Sequence, residues 1–397
     1  MKARMYYSFA ILFASIASSW VHADQEVSAG SPPISCEFEF ISFNTEFPTG
    51  RIDGCEQTGQ NSYTLYLQPE NEPINPSPWY AFQIVNASTQ AAEIDITLLA
   101  QNGPARYSPK SSTDKQQWAA VPHTTGEETI NFTIAVDPEV PLYIAGQEII
   151  DNRSYLRWLA DLAKTPAQEI FTLGYSSEGR PLPAMVSYAE GSDDWLVLIG
   201  RQHPPEITGA LAMLHFGNAL FSTDTNFSAF RKEFNILVVP NMNPDGVHLG
   251  NWRHSSLGLD MNRDWKNFSH PETQALNAFL QNIRAEGGNI QFALDFHSTY
   301  RNIYYTMPAD YVNSKNMPLR NATLVDNWLD ALATEISWDV INRPGHNSDS
   351  GVFKQYMADE FAVHAVTYEV GDNTDRAEIK ATAEIAAELL IKFLDDD

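Results

Sequence analysis

The sequence predicts two parts: an all-β sandwich domain, then an α/β domain whose mixed, largely parallel sheet is flanked by helices. The first observation is that residues 34 to about 146 alternate apolar and polar side chains in short runs separated by Pro, Gly and Asn. The second is that continuous apolar runs alternate with helical patterns from about residue 150 onward. The length of 397 residues also favours two domains.

The β-sandwich domain is predicted over residues 24–148. Its clearest strand patterns cover residues 63–67, 81–85, 94–98 and 130–134. Proline and glycine mark the turns between them, as at Pro69, Pro73 and Gly103-Pro104. Because no helical period interrupts these strands, a small sandwich is the expected architecture. The sequence of this domain carries no defensible site of its own.

The α/β domain is predicted over residues 149–397. Asp151 is a suitable N-cap for a helix with apolar residues at helical spacing from Tyr155 to Ala163. Buried strands are expected at residues 195–199, 236–239 and 292–296, and helices at 207–221, 272–283, 323–335 and 378–394. In such sheets ligands bind beyond the carboxyl ends of the strands, so polar residues at those ends are candidate site residues.

Residues 1–23 are predicted to be a secretory signal peptide. Lys2 and Arg4 precede an apolar stretch over residues 10–17, and Val21-His22-Ala23 resembles a cleavage site before Asp24. The apolar stretch is too short to favour a membrane span, although an uncleaved N-terminal anchor is the alternative. We therefore expect a secreted or periplasmic protein.

The two cysteines, Cys36 and Cys55, are predicted to form a disulfide. Both lie near the start of the expected mature chain, and exported proteins keep such pairs oxidised. Neither cysteine has the neighbours expected of a catalytic nucleophile or of a zinc ligand set. The pair is therefore interpreted as structural.

The charge of the chain limits its partners. The formal net charge is −25, with acidic residues spread along the sequence. Nucleic acids and anionic membrane surfaces are therefore excluded as expected partners. Solubility is the simplest role for this acidity.

A candidate metal site begins at His203-Pro204-Pro205-Glu206, between a predicted strand and a predicted helix. His297 follows another strand and is the natural third ligand, with Asp295 placed to orient a ligand. Two imidazoles and a carboxylate with one open position would form a catalytic zinc site, which lowers the pKa of water to about 7. The alternatives are a surface histidine beside a helix-start glutamate, and a core histidine at position 297.

Three further residue types suit hydrolysis of an amide. Arg253 can stabilise an oxyanion, and Arg263 with Asn262 can hold a substrate carboxylate. Ordinary pairing of these arginines with Asp260 and Asp264 is the alternative. Glu369 ends an apolar run over residues 361–366 and can accept a proton from an activated water.

Taken in order, these residues resemble the zinc metallocarboxypeptidases of the carboxypeptidase A type. The resemblance covers about residues 150 to 394 and includes the segments 155–159 and 173–181. It implies one Zn²⁺ per chain bound by His203, Glu206 and His297. It also implies Arg253 at the scissile carbonyl, Asn262 and Arg263 at the terminal carboxylate, and Glu369 as general base and then proton donor.

Within that family the chain is most similar to the cytosolic-carboxypeptidase-like branch. The short form of the first ligand motif, the block Asn243 to Gly246, the block Gly250 to Arg253 and the preceding β-domain carry this similarity. The chain departs from the family at Pro205, where glycine is usual. The predicted signal peptide also departs from the intracellular location that the branch implies.

The specificity region before Glu369 differs from that of the family. Residues 341–347 contain no tyrosine at the place of the family's mobile tyrosine, and Tyr356 comes later. Residues between about 343 and 354 should line the specificity pocket. Arg343, Lys354 and Arg301 are each candidates to contact an acidic side chain, with ordinary surface positions as the alternative.

The expected function is hydrolysis of the C-terminal amide bond of peptides or proteins. The alternative on the same site is cleavage of peptidoglycan stem peptides, and deacylation of small amino-acid derivatives is a further one. A non-catalytic peptide-binding module is the alternative of another class, although the chain retains the three ligands and Glu369. The expected partners are peptide or protein C-termini.

Overall fold

A computed structural model describes residues 33–395, so the predicted signal peptide lies outside the described residues. Strands occupy the first part, as predicted. They are β1 (Ser35–Glu37), β2 (Ile41–Asn44), β3 (Gly54–Gln57), β4 (Ser62–Leu67), β5 (Ala81–Asn86), β6 (Ala92–Ala100), β7 (Lys110–Ser112), β8 (Ala119–Ala120), β9 (Thr124–Thr125), β10 (Thr129–Val136) and β11 (Leu142–Ala145).

These strands form two sheets with a shared apolar core. One sheet has the order β1-β2-β5-β11-β7-β8 and the other β3-β4-β6-β10-β9. Alternate side chains of β4 and β6 are buried, which is the period-2 pattern that predicted them. A disulfide joins Cys36 on β1 to Cys55 on β3, so it links the two sheets and confirms the predicted pair.

Helices and strands alternate after residue 150. The elements are α1 (Asn152–Leu162), β12 (Gln168–Tyr175), β13 (Pro181–Ser187), β14 (Asp194–Gly200), α2 (Ile207–Leu220), α3 (Thr225–Glu233), β15 (Asn235–Val239), α4 (Pro244–Leu249), α5 (Pro271–Ala285), β16 (Asn289–Thr299), β17 (Ile303–Thr306), α6 (Leu324–Glu335), β18 (Asn342–Pro344), α7 (Phe353–Phe361), β19 (Ala365–Gly371) and α8 (Arg376–Asp395). A short 3₁₀ turn covers Met261–Arg263. Asp151 caps α1 as predicted, because its carboxylate accepts a hydrogen bond from the amide of Ser154.

The second part has one mixed sheet of eight strands in the order β12-β13-β15-β14-β16-β19-β17-β18. Its central strands β15, β14, β16 and β19 run parallel, and antiparallel strands flank them on both sides. Helices α1, α2, α3, α6 and α8 pack on one face and α5 and α7 on the other. The predicted mixed α/β architecture is therefore confirmed.

The run over residues 361–366 divides between two elements. Phe361 ends α7, and Ala362 follows in the left-handed region with φ of 56°. The strand then begins at Ala365 and continues through Glu369 to Gly371. Glu369 therefore lies within the strand, two residues before its end, and not at its tip as the sequence indicated.

The core of the sandwich continues into the α/β part. The fully or nearly fully buried side chains of Tyr155 on α1, Ile207 and Ala210 on α2, and Trp252 after α4 pack in the same cluster as the sandwich residues. Ile207 directly follows Glu206, and Trp252 directly precedes Arg253. The sandwich is therefore packed against two of the segments that carry candidate site residues.

Candidate active site

His203, Glu206 and His297 lie together at the carboxyl ends of the parallel strands. His203 is in the loop after β14, Glu206 is the N-cap residue of α2, and His297 is on β16. The Glu206 carboxylate lies between the imidazoles: Oε1 is 2.8 Å from Nδ1 of His203, and Oε2 is 2.7 Å from Nδ1 of His297. One ligand atom from each residue lies within 4.8 Å of the others. The residues that the sequence selected are therefore close enough to share one ion.

The outward nitrogen of each imidazole faces a second carboxylate. Nε2 of His203 is 3.0 Å from Oδ1 of Asp260, and Nε2 of His297 is 2.8 Å from Oδ2 of Asp295. Histidines that bind zinc usually donate their other N–H to such a carboxylate, which fixes the ring and its tautomer. The two nitrogen atoms and one carboxylate left on the inner side are the donors that a catalytic zinc site uses. The residues present therefore fit a zinc ion.

The charges around these ligands also favour a cation. Burial raises the pKa of Glu206, but the two neighbouring imidazoles outweigh burial and hold this pKa well below its usual range. Burial lowers the pKa of His297, but Asp295 and Glu206 outweigh burial and raise this pKa well above its usual range. The same carboxylates that stabilise a proton here would stabilise a divalent metal ion.

Glu369 lies beside this ligand group on the neighbouring strand. Strands β16 and β19 are parallel, and His297 is paired in register with Glu369. Because the two residues are in register on adjacent strands, their side chains project from the same face of the sheet. Adjacent strands lie about 4.8 Å apart. Within the described residues, Oε2 of Glu369 is buried and has no hydrogen-bond partner. A buried carboxylate oxygen normally has a polar partner, so this oxygen is suited to bind a further polar group.

Burial is the main cause of an unusual pKa at Glu369. Together with the nearby negative charge of Glu206, burial raises the pKa of Glu369 to about 7. A carboxyl group with a pKa near the working pH is well suited to exchange protons. Glu369 thus combines the position and the proton affinity of a general base.

Arg253 is joined to the ligand His203 through Asp260. Nε of Arg253 donates to Oδ2 of Asp260 at 2.8 Å, while Oδ1 of the same carboxylate contacts His203. This confirms the pairing with Asp260 that the sequence left open, and it also holds Arg253 next to the candidate metal ligands. Among the described residues the guanidinium makes only this hydrogen bond, so its terminal nitrogens are free to bind another group.

Asn262 and Arg263 occupy different surroundings. Asn262 is buried: its Nδ2 is 3.3 Å from Nε2 of His297, and its Oδ1 accepts a hydrogen bond of 3.0 Å from the amide of Phe353. Arg263 is exposed, and its Nη1 donates to the carbonyl of Asn262 at 2.7 Å. Asn262 thus connects a ligand to the start of α7, while Arg263 presents its charge to solvent.

Arg201 supports the loop that carries His203 and Glu206, and no sequence motif indicates this role. This residue is 1% exposed and has a left-handed backbone with φ of 55°. Its Nε donates to the carbonyl of Pro204 at 2.7 Å, and its Nη1 donates to the hydroxyl of Tyr155 at 2.7 Å. The left-handed turn and the buried guanidinium together fix the path of the chain between β14 and Glu206. A cation directly between a buried strand and a ligand motif is the signal that could have revealed it.

Gln202 is a second supporting residue that sequence reasoning missed. Its Nε2 donates to Oδ2 of Asp295 at 2.7 Å, and its Oε1 accepts a hydrogen bond of 2.8 Å from Nε1 of Trp265. The carboxylate of Asp295 therefore contacts both His297 and Gln202. Such a contact depends on the distance in space between β14 and β16, which no local sequence pattern contains.

The residues predicted to belong to the specificity region differ in how far they are buried. Nζ of Lys354 donates to the carbonyls of Thr306, at 3.1 Å, and Gly345, and burial lowers the pKa of this ammonium to about 8. Arg301 and Arg343 are exposed. Tyr356 lies on α7, and its hydroxyl donates to Oδ1 of Asn277 on α5 at 2.5 Å, so its side chain is held against α5.

Tyr305 lies on β17, the strand next to the one that carries Glu369, and no sequence motif indicated it. Strand β17 pairs Ile303 with Glu369 and Tyr305 with Thr367, so Tyr305 projects from the same face of the sheet as Glu369. Its side chain is 38% exposed. Arg343 is in register with Tyr305 on β18, which places its charge at the same edge.

Gly209→Ala is expected to weaken zinc binding. A Cβ at this position on α2 would lie 2.2 Å from the carbonyl oxygen of His297, so the helix that carries Glu206 would have to move away from β16. We expect zinc affinity to fall about 10- to 100-fold, as for other residues that support ligands. Competition with a chromophoric chelator measures the zinc affinity. Gly345→Ala is the control, because a Cβ there would meet no atom of residues 33–395 within 4 Å. Equal affinities for both variants and wild type would contradict the expectation.

The class of protein is defined by the second part of the chain, where residues 155–388 match the zinc carboxypeptidase family. Because this match covers more than half of the 397 residues, the chain belongs to the zinc carboxypeptidase family. Residues 43–145 match the N-terminal domain of cytosolic carboxypeptidases. The predicted resemblance to that branch is therefore confirmed.

Individual relatives agree with this assignment. The chain is 25% identical over 272 residues to cytosolic carboxypeptidase 6 of Caenorhabditis elegans, a match that covers 60% of this chain and 58% of the relative. It is 24% identical over 288 residues to human cytosolic carboxypeptidase 6, covering 65% of this chain and 57% of that protein. The chain thus spans somewhat more than half the length of these curated relatives.

The fold is shared with a solved metallo-carboxypeptidase from Burkholderia cenocepacia. The TM-score is 0.74 at 19% identity, and the match covers 90% of this chain and 99% of that one. The match therefore extends over the sandwich as well as the α/β part. At this identity the comparison shows a common fold.

Proposed function

We propose that this protein is a zinc-dependent carboxypeptidase that hydrolyses the C-terminal amide bond of peptides or proteins. The observation that carries the proposal is the position of Glu369, in register with His297 and beside the group formed by His203, Glu206 and His297. A general base next to three metal ligands is the arrangement that water-activating hydrolysis requires. Membership of the zinc carboxypeptidase family supports the same activity.

His203, Glu206 and His297 would hold one zinc ion per chain. When bound, zinc lowers the pKa of a coordinated water to about 7 and polarises a carbonyl. Asp260 and Asp295 contact the outer nitrogens of the two histidines, which would leave the inner nitrogens to bind the ion. Arg201 and Gln202 in turn hold the ligand loop and Asp295.

Glu369 is proposed to accept a proton from the attacking water and to deliver it to the leaving amine. A carboxyl pKa of about 7 lets the group change its protonation state near neutral pH in both steps. Arg253 is proposed to stabilise negative charge on the scissile carbonyl oxygen with its free terminal nitrogens. Its attachment to Asp260 keeps that guanidinium beside the ligand His203.

Arg263→Ala is expected to raise KM strongly for peptides with a free C-terminal carboxylate and little for their C-terminal amides. Arg263 is exposed at the end of the segment that contacts His297, and its planar guanidinium suits a carboxylate. Steady-state kinetics on matched acid and amide peptides measure the difference. Lys266→Ala, which removes an exposed cation three residues later, is the control. Equal changes in KM for acid and amide would contradict the role of Arg263.

The proposed activity is tested with the purified, zinc-loaded full chain and pairs of peptides that differ only at the C-terminus. We expect release of single residues from the free-acid peptides and little cleavage of the amidated ones, with loss of both on chelation. Mass spectrometry of the products identifies the bond cut. Cleavage of purified sacculi without release of C-terminal residues from peptides would contradict the proposal.

Export of the protein is also a proposal. It is supported by the sequence of residues 1–23 and by the disulfide between Cys36 and Cys55, since disulfides persist in oxidising compartments. The relatives named above are cytosolic carboxypeptidases, so the proposed location differs from theirs. No helix within residues 33–395 is long and apolar enough to cross a membrane. Fractionation of cells that express the full chain tests the location, and uncleaved protein in the cytoplasmic fraction would contradict export.

A further inference from the structure

Glu70 of the β-sandwich part binds the backbone of the segment that carries Arg253. Its Oε2 accepts a hydrogen bond of 2.8 Å from the amide of Trp252. Its Oε1 accepts hydrogen bonds of 2.9 Å from the amide of Arg253 and 2.5 Å from the amide of His254. One carboxylate therefore satisfies three consecutive backbone N–H groups that are about 180 residues away in sequence.

Two neighbouring contacts hold the same segment to the sandwich. Both polar atoms of the Asn71 side chain contact the segment. Its Oδ1 is 2.8 Å from Nδ1 of His254, and its Nδ2 donates to the carbonyl of Gly258 at 2.9 Å. Trp252 is 0% exposed and packs within the core of the sandwich. The segment from Trp252 to Gly258 is thus fixed to the sandwich by side-chain packing and by hydrogen bonds.

The segment leads directly to the candidate active site. Arg253 lies between the two other residues whose amides Glu70 binds, and its side chain donates to Asp260. Asp260 in turn contacts Nε2 of His203. Glu70 is therefore connected to both the proposed oxyanion-binding arginine and a proposed metal ligand through one continuous set of contacts.

We infer that Glu70 is a positioning residue for catalysis, which acts by fixing the backbone of Arg253 so that its guanidinium meets the scissile carbonyl. This inference rests on the proposed carboxypeptidase function. It assigns the β-sandwich part a direct role in the geometry of the site. Removal of the Glu70 carboxylate leaves three N–H groups without their acceptor and frees the Arg253 segment to shift. A displacement of about 1 Å in such a group can lower the rate by about 10²-fold.

The inference is tested first without any turnover. Hydrogen exchange of zinc-loaded protein reports the protection of the amides of Trp252, Arg253 and His254 in wild type, Glu70→Ala and Glu70→Gln. We expect strong loss of protection in Glu70→Ala and a smaller loss in Glu70→Gln, which retains one carbonyl acceptor. Unchanged protection in both variants would show that Glu70 does not hold the segment. This result does not depend on the protein being a carboxypeptidase.

Kinetics on free-acid peptides then separate positioning from general stability. Because Arg253 is proposed to act on charge that develops in the transition state, Glu70→Ala should lower kcat and kcat/KM equally, by about 10- to 100-fold, with little change in KM. Zinc content should stay at the wild-type value. A rise in KM at unchanged kcat would contradict the inference, as would full activity in a variant that has lost amide protection.

A double-mutant comparison shows whether Glu70 acts through Arg253. In an Arg253→Ala background, Glu70→Ala should cause almost no further loss of kcat, because the group that it positions is already gone. Equal losses in both backgrounds would overturn the inference.

The matched control is Glu148→Ala, which removes a carboxylate that binds Arg376 at 2.7 Å and not the Arg253 segment. Its kcat should equal that of wild type. A fall in kcat in Glu148→Ala as large as that in Glu70→Ala would attribute the effect to general loosening and overturn the role of Glu70. If wild type releases no C-terminal residue from any peptide, the proposed function fails, while the exchange experiment still decides whether Glu70 holds the segment.

Discussion

Glu369→Gln is expected to leave zinc bound and to lower kcat by about 10²- to 10⁴-fold, the usual contribution of a general base. The substitution keeps the shape of the side chain but removes its ability to accept a proton from water. Zinc should be retained because the proposed ligands are His203, Glu206 and His297, while Glu369 lies on the neighbouring strand. Peptide kinetics and metal analysis of the same preparation measure the two properties together.

Glu378→Gln is the control for this prediction. Glu378 is an exposed carboxylate in the first turn of α8, and the same substitution there should leave both zinc content and kcat unchanged. Peptide hydrolysis by Glu369→Gln at the wild-type rate would show that another group takes the proton. Loss of zinc in Glu369→Gln would instead show that Glu369 belongs to the ligand set.

His297→Ala is expected to abolish zinc binding and, with it, activity. The substitution removes one of three ligands and leaves Glu206, which is 4% exposed, with one imidazole partner instead of two. Because a ligand that binds only the folded state stabilises it, zinc should raise the unfolding temperature of wild type. The same addition should have almost no effect on His297→Ala. Thermal unfolding with and without added zinc, together with metal analysis, measures this difference.

His346→Ala provides the comparison for the histidine ligand. His346 is exposed in the loop before α7, and its removal should preserve both zinc content and the zinc-dependent rise in unfolding temperature. A normal zinc-dependent rise in His297→Ala would contradict the proposed ligand set. It would require the ion to lie elsewhere in the protein.

The sequence predicted the ligand group because each member is attached to a recognisable element. His203 and Glu206 precede a long apolar helix, and His297 lies on a strongly apolar strand. The carboxyl ends of parallel strands meet at one edge of a sheet, so the pattern itself indicated that these residues would be close. The fold class and the disulfide were predictable for similar reasons of periodicity and composition.

The supporting residues were not predictable because their partners are distant in sequence. Gln202 contacts Asp295, and Glu70 binds the amides of three residues near position 253. These contacts depend on how the strands order themselves and on how the sandwich packs against α2 and Trp252. Arg201 was not indicated by its sequence context because its guanidinium also binds Ile150 and Tyr155, which lie 51 and 46 residues earlier in the chain.

The β-sandwich was predicted correctly as a fold but not as a part of the site. Its strands follow from alternation alone, whereas the contact of Glu70 with the Arg253 segment comes from a loop after β4 that has no strand pattern. Polar loop residues are not marked by periodicity, although loops often carry functional residues. The structure therefore shows a contact between this region and the Arg253 segment that the alternating strand pattern does not indicate.

One zinc ion, held by His203, Glu206 and His297, is proposed to support the release of C-terminal residues. The most direct test is titration of metal-depleted full-length protein with zinc while the release of C-terminal residues from a free-acid peptide is followed. We expect no release before zinc is added and a linear rise that stops at one equivalent of zinc per chain. Full activity in the metal-depleted protein, or no activity at any amount of zinc, would contradict this expectation.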